Sequence, residues 1–292
     1  MDGVSRDFAA YIAAMVSRGG PQSSEYGEIT NWIACFDAAK RAGRVTAEQE
    51  CHVMSSFGEA VSLDTVQGFV YQRPHGYAGD YEVIDRIYTH WLSPMEHLRA
   101  WDEYFHAQAV PHAVRNRKEF LHTLLDQLAD GAQVLNLGSG PGRCMLEWFD
   151  RNPSREIHID CVDMDSNAIG YAQSLNSRHL DRIRFSCQNV LRLRTERRYD
   201  LIWAAGLFDY FRDSTFVGVV KRLLPALDDG GRVVIGNFSV DNPTRAYMEL
   251  GGWCLNHRTP EQLLELMGHA GLRAVVDAEP EGVNLFTMGT RA

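Results

Sequence analysis

The 292-residue chain is 45% hydrophobic and 23% charged, the proportions of an ordinary globular protein with enough length for one large domain or two modest ones. No apolar run approaches the ~20 residues that a bilayer-spanning helix needs. The formal net charge is −9, and the basic residues fall in small groups such as Arg115, Arg117, Lys118 and Arg192, Arg194, Arg197, Arg198, which argues against a nucleic-acid footprint.

Up to about residue 130 the grammar is helical. Residues 8–18, 25–42, 46–63, 82–92, 95–108 and 112–129 carry apolar side chains at three- and four-residue spacing, and Pro21, Pro74, Pro94 and Pro111 separate several of these runs. The first run follows Asp2 and Asp7, where a secretory leader would carry positive charge, so it reads as an amphipathic helix and a cytoplasmic location is expected. One segment breaks the pattern: Tyr71-Gln-Arg-Pro-His-Gly-Tyr-Ala-Gly-Asp-Tyr81 holds two glycines and a proline and cannot be a regular helix.

After residue 132 strands alternate with helices. Strands are expected at 133–137, 157–163, 182–187, 200–204, 231–237, 272–277 and 283–289, with helices near 143–150, 166–176, 214–227 and 259–270. This alternation specifies an α/β fold, a largely parallel sheet covered on both faces. Only five residues, 278–282, separate the last two strands. That is too short for a crossover helix, so those strands should pair antiparallel. The expected domains are a helical region over 1–130 and a sheet domain over 131–292.

The strongest chemical signal is Val134-Leu-Asn-Leu-Gly-Ser-Gly-Pro-Gly-Arg143, a strand that runs through Gly138, Gly140 and Gly142 into a helix. Glycines there allow a sharp turn and close approach of the backbone to a ligand. A pyrophosphate-binding loop reads GxGxxG, whereas this one reads GxGxG, which favours S-adenosylmethionine over a dinucleotide. Asp163 closes the next strand, 21 residues after Gly142, where a carboxylate can accept hydrogen bonds from both ribose hydroxyls of a nucleoside. Asp165 suits a helix cap better. After the third strand, Asn189 and Val190 stand where a polar group meets adenine, and Ala205 follows the fourth. All converge on the carboxyl ends of the strands, where open α/β sheets bind ligands. The six cysteines (35, 51, 144, 161, 187, 254) show no CxxC or zinc-type spacing, so no metal is expected; Cys161 and Cys187 fall in apolar runs read as buried strands.

Residues 130–292 resemble the class I S-adenosylmethionine-dependent methyltransferases. The resemblance implies a seven-stranded Rossmann-like sheet of order 3-2-1-4-5-7-6 with the last strand antiparallel, and S-adenosyl-L-methionine as cofactor. Asn136 departs from that family, which usually has an acid two positions before the first glycine. A narrower resemblance rests on Arg73-Pro-His-Gly-Tyr-Ala-Gly-Asp-Tyr-Glu82, Ala205-Gly-Leu-Phe-Asp-Tyr210, Gly236-Asn-Phe238 and Trp253 with Arg258-Thr-Pro-Glu261. These look like the bacterial methyltransferases of 3-hydroxy fatty acid methyl ester biosynthesis. One scaffold serves many acceptors, so this bears on architecture more than on substrate.

Methyl transfer is an in-line displacement that requires a held acceptor and excluded water. Residues 71–81 are the lid candidate, with Tyr77 expected over the cofactor. Tyr71, Arg73 and Asp80 are expected at the substrate, Arg73 by a two-pronged contact with a carboxylate of the substrate or of the cofactor's methionine part or, alternatively, by a pair with Asp80 or Glu82. Asp209 and Tyr210 follow the fourth strand beside the expected methyl group, and with His75 they are the catalytic candidates. Asn237 follows the fifth strand on the acceptor side, and Trp253, Asn256 and Arg258 are expected on the pocket's far wall, with core packing the alternative for Trp253. The expected function is O-methylation of a small molecule, with a carboxyl group as one acceptor. Alternatives are N-methylation of an amine or guanidine, suited by Asp80, Glu82, Asp85 and Asp209, and a non-catalytic cofactor-binding module. Neither nucleic acid nor membrane is an expected partner, and a homodimer is left open.

Overall fold

The computed structural model describes residues 3–291; Asp2, invoked above against a leader, lies outside them. Contacts divide the chain into two compact units. The first runs up to His112 and takes back Pro243–Cys254; the second comprises Ala113–Asn242 and the chain from Leu255 onward. The division therefore falls at residue 112, not near 130, and the chain passes between the units three times. Among the described residues no helix is long and apolar enough to cross a membrane.

The first unit contains α1 (Gly3–Ser17), α2 (Tyr26–Arg41), α3 (Ala47–Ser56), α4 (Val66–Gln72), α5 (Tyr81–Tyr88) and α6 (Arg99–His106). Phe8, Ile12, Ile33, Phe36, Phe57 and Trp101 form its core, and Tyr247 and Leu250 of the returning segment pack against it. Each such side chain contributes roughly 1.5–3 kcal/mol by leaving water. A buried carboxylate ties the helices together: Asp102 accepts from the Val66 and Ser93 backbone N–H groups, both at 2.7 Å.

The second unit is a seven-stranded sheet in the order β3-β2-β1-β4-β5-β7-β6. Its strands are β1 (Gln133–Leu137), β2 (His158–Asp163), β3 (Ile183–Cys187), β4 (Tyr199–Ala204), β5 (Leu227–Phe238), β6 (Leu272–Ala278) and β7 (Asn284–Arg291). β1 to β5 are parallel, and β7 runs antiparallel between β5 and β6, as the five-residue connection requires. The fold class expected from the sequence is the one observed.

Side chains alternate across the sheet into two cores. On one face Val134, Ile159, Leu201 and Trp203 meet α7 (Ala109–Asp126), α8 (Arg143–Arg151) and α9 (Ser166–Leu175). On the other, Leu135, Ile202, Val233 and Ile235 meet α10 (Asp213–Leu223) and, beyond a short α11 (Arg245–Leu250) in the first unit, α12 (Pro260–Ala270). Cys161 is buried in β2, as expected. Cys187 is exposed because β3 lies at the sheet edge and its last residue emerges from the covering helices.

Candidate functional site

Each glycine of the turn after β1 has a left-handed φ, +63° at Gly138, +55° at Gly140 and +72° at Gly142, which side chains rarely tolerate. Their surroundings differ. A Cβ at Gly138 would stand 3.2 Å from the Leu207 side chain, and one at Gly142 would stand 2.8 Å from Asn176 and 3.0 Å from Ala172 in α9. Those two glycines serve packing. A Cβ at Gly140 would meet nothing within 4 Å, so this is where the backbone faces open space that a ligand can approach.

Asp163 holds this turn. Its Oδ2 accepts from the Gly140 N–H at 3.0 Å and its Oδ1 from the Asp165 N–H at 3.0 Å. Burial raises its pKa against the lowering effect of these donors. Each carboxylate oxygen has lone-pair capacity beyond one hydrogen bond, so the pair retains acceptors for two ribose hydroxyls. Asp165 caps α9 by accepting from the Asn167 N–H at 2.8 Å. The Asn189 Oδ1 accepts from the Leu191 N–H at 2.8 Å, which fixes the exposed turn after β3, and Val190 beside it is buried. Ala205 lies at the end of β4, where a Cβ on Gly236 of β5 would come within 2.7 Å of its carbonyl oxygen. These features fit a nucleoside-bearing cofactor: open space at Gly140, acceptors at Asp163 and a polar turn at Asn189. Asn136, by contrast, is turned into the core, with its amide donating to the Met145 sulfur at 3.3 Å.

The turn after β4 carries Asp209 and Tyr210. Tyr210 is 42% exposed and Asp209 only 1%. The Asp209 Oδ1 accepts from the Phe238 N–H at 2.6 Å, while its Oδ2 has no partner. Burial pushes this carboxyl up to about 7, against the attraction of Arg117 and Arg258. Asn237 and Arg258 correct the expectation of a substrate-binding wall. Asn237 is fully buried and donates to the carbonyls of Phe238 and Asn256. Arg258 donates to Asn237 Oδ1 at 2.6 Å, to Asp213 Oδ1 at 2.9 Å and to the Phe208 and Phe211 carbonyls. Both residues are committed to tying the turn after β4 to the end of β5.

In the first unit, residues 73–80 form the irregular turn expected between helices, although Tyr71 and Gln72 still belong to α4. Tyr71 and Tyr77 are each 37% exposed. Arg73 adopts φ +50° and donates to the Gly252 carbonyl at 2.8 Å. Of the two partners suggested for it, Glu82 pairs with Arg86 at 2.9 Å, and Asp80 caps α5, its Oδ1 accepting from the Glu82 and Val83 N–H groups at 2.9 Å. Asp80 is fully buried, its Oδ2 has no partner, and burial raises its pKa. His75 approaches Glu82 at 3.3 Å and rests against the Tyr81 ring at 4.7 Å. Trp253 is a packing residue: it is 4% exposed, and a Cβ on Gly79 would come within 2.6 Å of its indole.

Sequence reasoning passed over Arg117, which is 6% exposed and packs against Gly206 after β4. It also passed over Ser139, whose hydroxyl is buried in the glycine turn without a partner.

Comparisons with known proteins agree with this geometry. Residues 134–231 match a family described as a methyltransferase domain. A malonyl-[acyl-carrier protein] O-methyltransferase of Acetivibrio thermocellus is 25% identical over 126 residues, 42% of each chain; the chain thus spans about two-fifths of the length of this curated relative. Among solved structures, a possible exported protein from Bordetella parapertussis superposes with a TM-score of 0.62 at 16% identity, covering 98% of this chain and 96% of its own. The pyocyanin biosynthetic protein PhzM gives 0.56 at 17% identity, over 92% of this chain and 71% of its own. The magnesium protoporphyrin IX methyltransferase of Synechocystis, solved with S-adenosylhomocysteine, gives 0.51 at 12% identity, over 63% of this chain and 87% of its own. The sheet order, the glycine turn held by Asp163 and the family match identify residues 134–231 as a methyltransferase domain on a Rossmann-like sheet of the class I type.

Proposed function

We propose that the protein methylates a small-molecule acceptor on oxygen, with a carboxyl group as the preferred acceptor. The observation that carries this reading is the state of the two carboxylates suited to a cationic acceptor. Asp80 and Asp209 are 0% and 1% exposed, and burial drives both toward the neutral acid. Sealed acids of this kind are poor partners for an incoming ammonium or guanidinium. The O-methyltransferase named among the relatives supports the same choice.

When bound, S-adenosylmethionine supplies an electrophilic methyl group on a sulfonium. The chain's task is to hold the acceptor oxygen in line with the breaking bond and to keep water away. A carboxylate is already a nucleophile, so no base is needed. The exposed Tyr210 lies on the turn after β4, on the side of the sheet where the acceptor is expected. The four exposed free thiols at Cys35, Cys51, Cys187 and Cys254 suit a reducing, cytoplasmic setting.

The test is transfer of a labelled methyl from S-adenosylmethionine to a panel of aliphatic acids, phenols and amines, followed by alkaline treatment of the product. A carboxyl ester releases its label as methanol. A label that resists base on an amine product overturns the reading in favour of N-methylation, and labelling of no acceptor favours a cofactor-binding module.

A further inference from the structure

Two arginines are buried in the second unit, and their situations are opposite. Arg258, 4% exposed, donates to side chains and carbonyls on three sides. Arg117, 6% exposed, has an Nε without a hydrogen-bond partner, and no ion pair joins it to Asp209. Asp209 attracts this guanidinium but makes no ion pair with it, and a buried guanidinium whose donors are not taken up is costly, so Arg117 keeps donors for an anion.

Its placement follows from the helix. Ala113, Val114, Leu121, Leu124 and Leu125 form the buried face of α7 in this unit, and Arg117 lies on that same face. Its head packs against Gly206, where a Cβ would stand 2.9 Å from Nη1. The next residue, Leu207, abuts Gly138 of the glycine turn. The charge of Arg117 acts on Cys144 in the first turn of α8 and on Asp209 after β4. It therefore lies at the boundary between β1 and β4, where the strand order reverses, and such switch points are the ligand crevices of open α/β sheets. Ser139, with its buried and unpartnered hydroxyl, belongs to the same turn.

We infer that Arg117 is the anchor for a carboxylate at this switch point, and that the carboxylate is that of the amino-acid end of S-adenosylmethionine. The inference rests on the methyltransferase assignment. Two arguments favour the cofactor over an acid acceptor. An acceptor carboxylate held by a buried guanidinium would be a weakened nucleophile and would lose its charge on esterification, whereas the cofactor's carboxylate keeps its charge throughout. In addition, Asn136 turns its side chain into the core, so the position before the glycine turn leaves the amino-acid end to other groups. Asp209 makes no ion pair with Arg117: its Oδ1 accepts from the Phe238 N–H, and burial holds its carboxyl above the usual carboxylate range.

The test compares two ligands by calorimetry on the full chain. S-adenosylhomocysteine carries the amino-acid end, and 5′-methylthioadenosine lacks it. Arg117→Gln is expected to weaken the first at least tenfold and to leave the second within twofold; Arg117→Lys should recover part of the loss, since an ammonium lacks the two-pronged geometry. Gly206→Ala keeps the arginine but pushes on its head, and should give the same selective loss if Arg117→Gln does not fold. Equal weakening of both ligands would make Arg117 a structural residue and overturn the inference. Unchanged S-adenosylhomocysteine affinity with a raised acceptor KM would assign the carboxylate to the acceptor and overturn it as well. Failure of the wild-type chain to bind either nucleoside would remove the cofactor assignment on which it rests.

Discussion

Replacing Asp163 by alanine should separate the two tasks its carboxylate performs. Toward the protein it accepts from the Gly140 and Asp165 N–H groups, both at 3.0 Å. These residues are not sealed from solvent, so water can take over part of the work, and the folding cost should stay near 1 kcal/mol for each bond. Toward the ligand it offers acceptors to two ribose hydroxyls. Loss of charge-assisted hydrogen bonds there should weaken S-adenosylhomocysteine by roughly 1.5–3 kcal/mol, about 10- to 150-fold in Kd. 5′-Methylthioadenosine, which carries the same ribose, should weaken equally, unlike the selective pattern expected for Arg117. Calorimetry on protein checked for a native melting transition measures both. An unchanged Kd in a folded Asp163→Ala protein would refute the ribose assignment.

Gly140→Val should block nucleoside binding, because the added side chain enters the open space at the turn and meets no protein atom at its Cβ; the left-handed φ of +55° adds a backbone strain of about 1–3 kcal/mol that a melting curve reads separately, and normal binding would remove this turn from the site. Asp209 makes stability depend on pH: its folded pKa of about 7 lies above the ordinary carboxylate value of 3.8, so its contribution is full below ~4 and is lost as pH rises through 7. Urea unfolding should show the wild type losing more stability than Asp209→Asn between pH 5 and 8, by at most ~3 kcal/mol, and equal slopes would contradict the burial argument. A chain starting at residue 128 should be poorly soluble and inactive, because it retains Tyr247 and Trp253 without Gln67 and Gly79, their partners in the first unit; a soluble form with full methyl transfer would refute this.

The sheet was legible because each strand is a short apolar run between helices, and the antiparallel end follows from one short connection. α4 was not legible: Val66 to Val70 are all buried, so no helical period shows, and Gly68 sits inside it because Ser62 leaves no room for a Cβ. α11 has six residues, too few for a pattern. The cofactor side was legible through glycines and an acid at fixed spacing. The acceptor side and far wall were not: Asn237 and Arg258 have the residue types of a binding site, but their hydrogen bonds are made within the framework, and only tertiary structure reveals that. Arg117 carried a readable signal, an arginine at a buried position of the α7 period, which its place in a small basic group with Arg115 and Lys118 obscured.

The most direct test of the account is the structure of the full chain with S-adenosylhomocysteine. The account predicts the ligand along the carboxyl ends of β1 and β2, with Gly140 beside it and both ribose hydroxyls on the Asp163 carboxylate. A ligand bound elsewhere, or bound with its ribose away from Asp163, would contradict it.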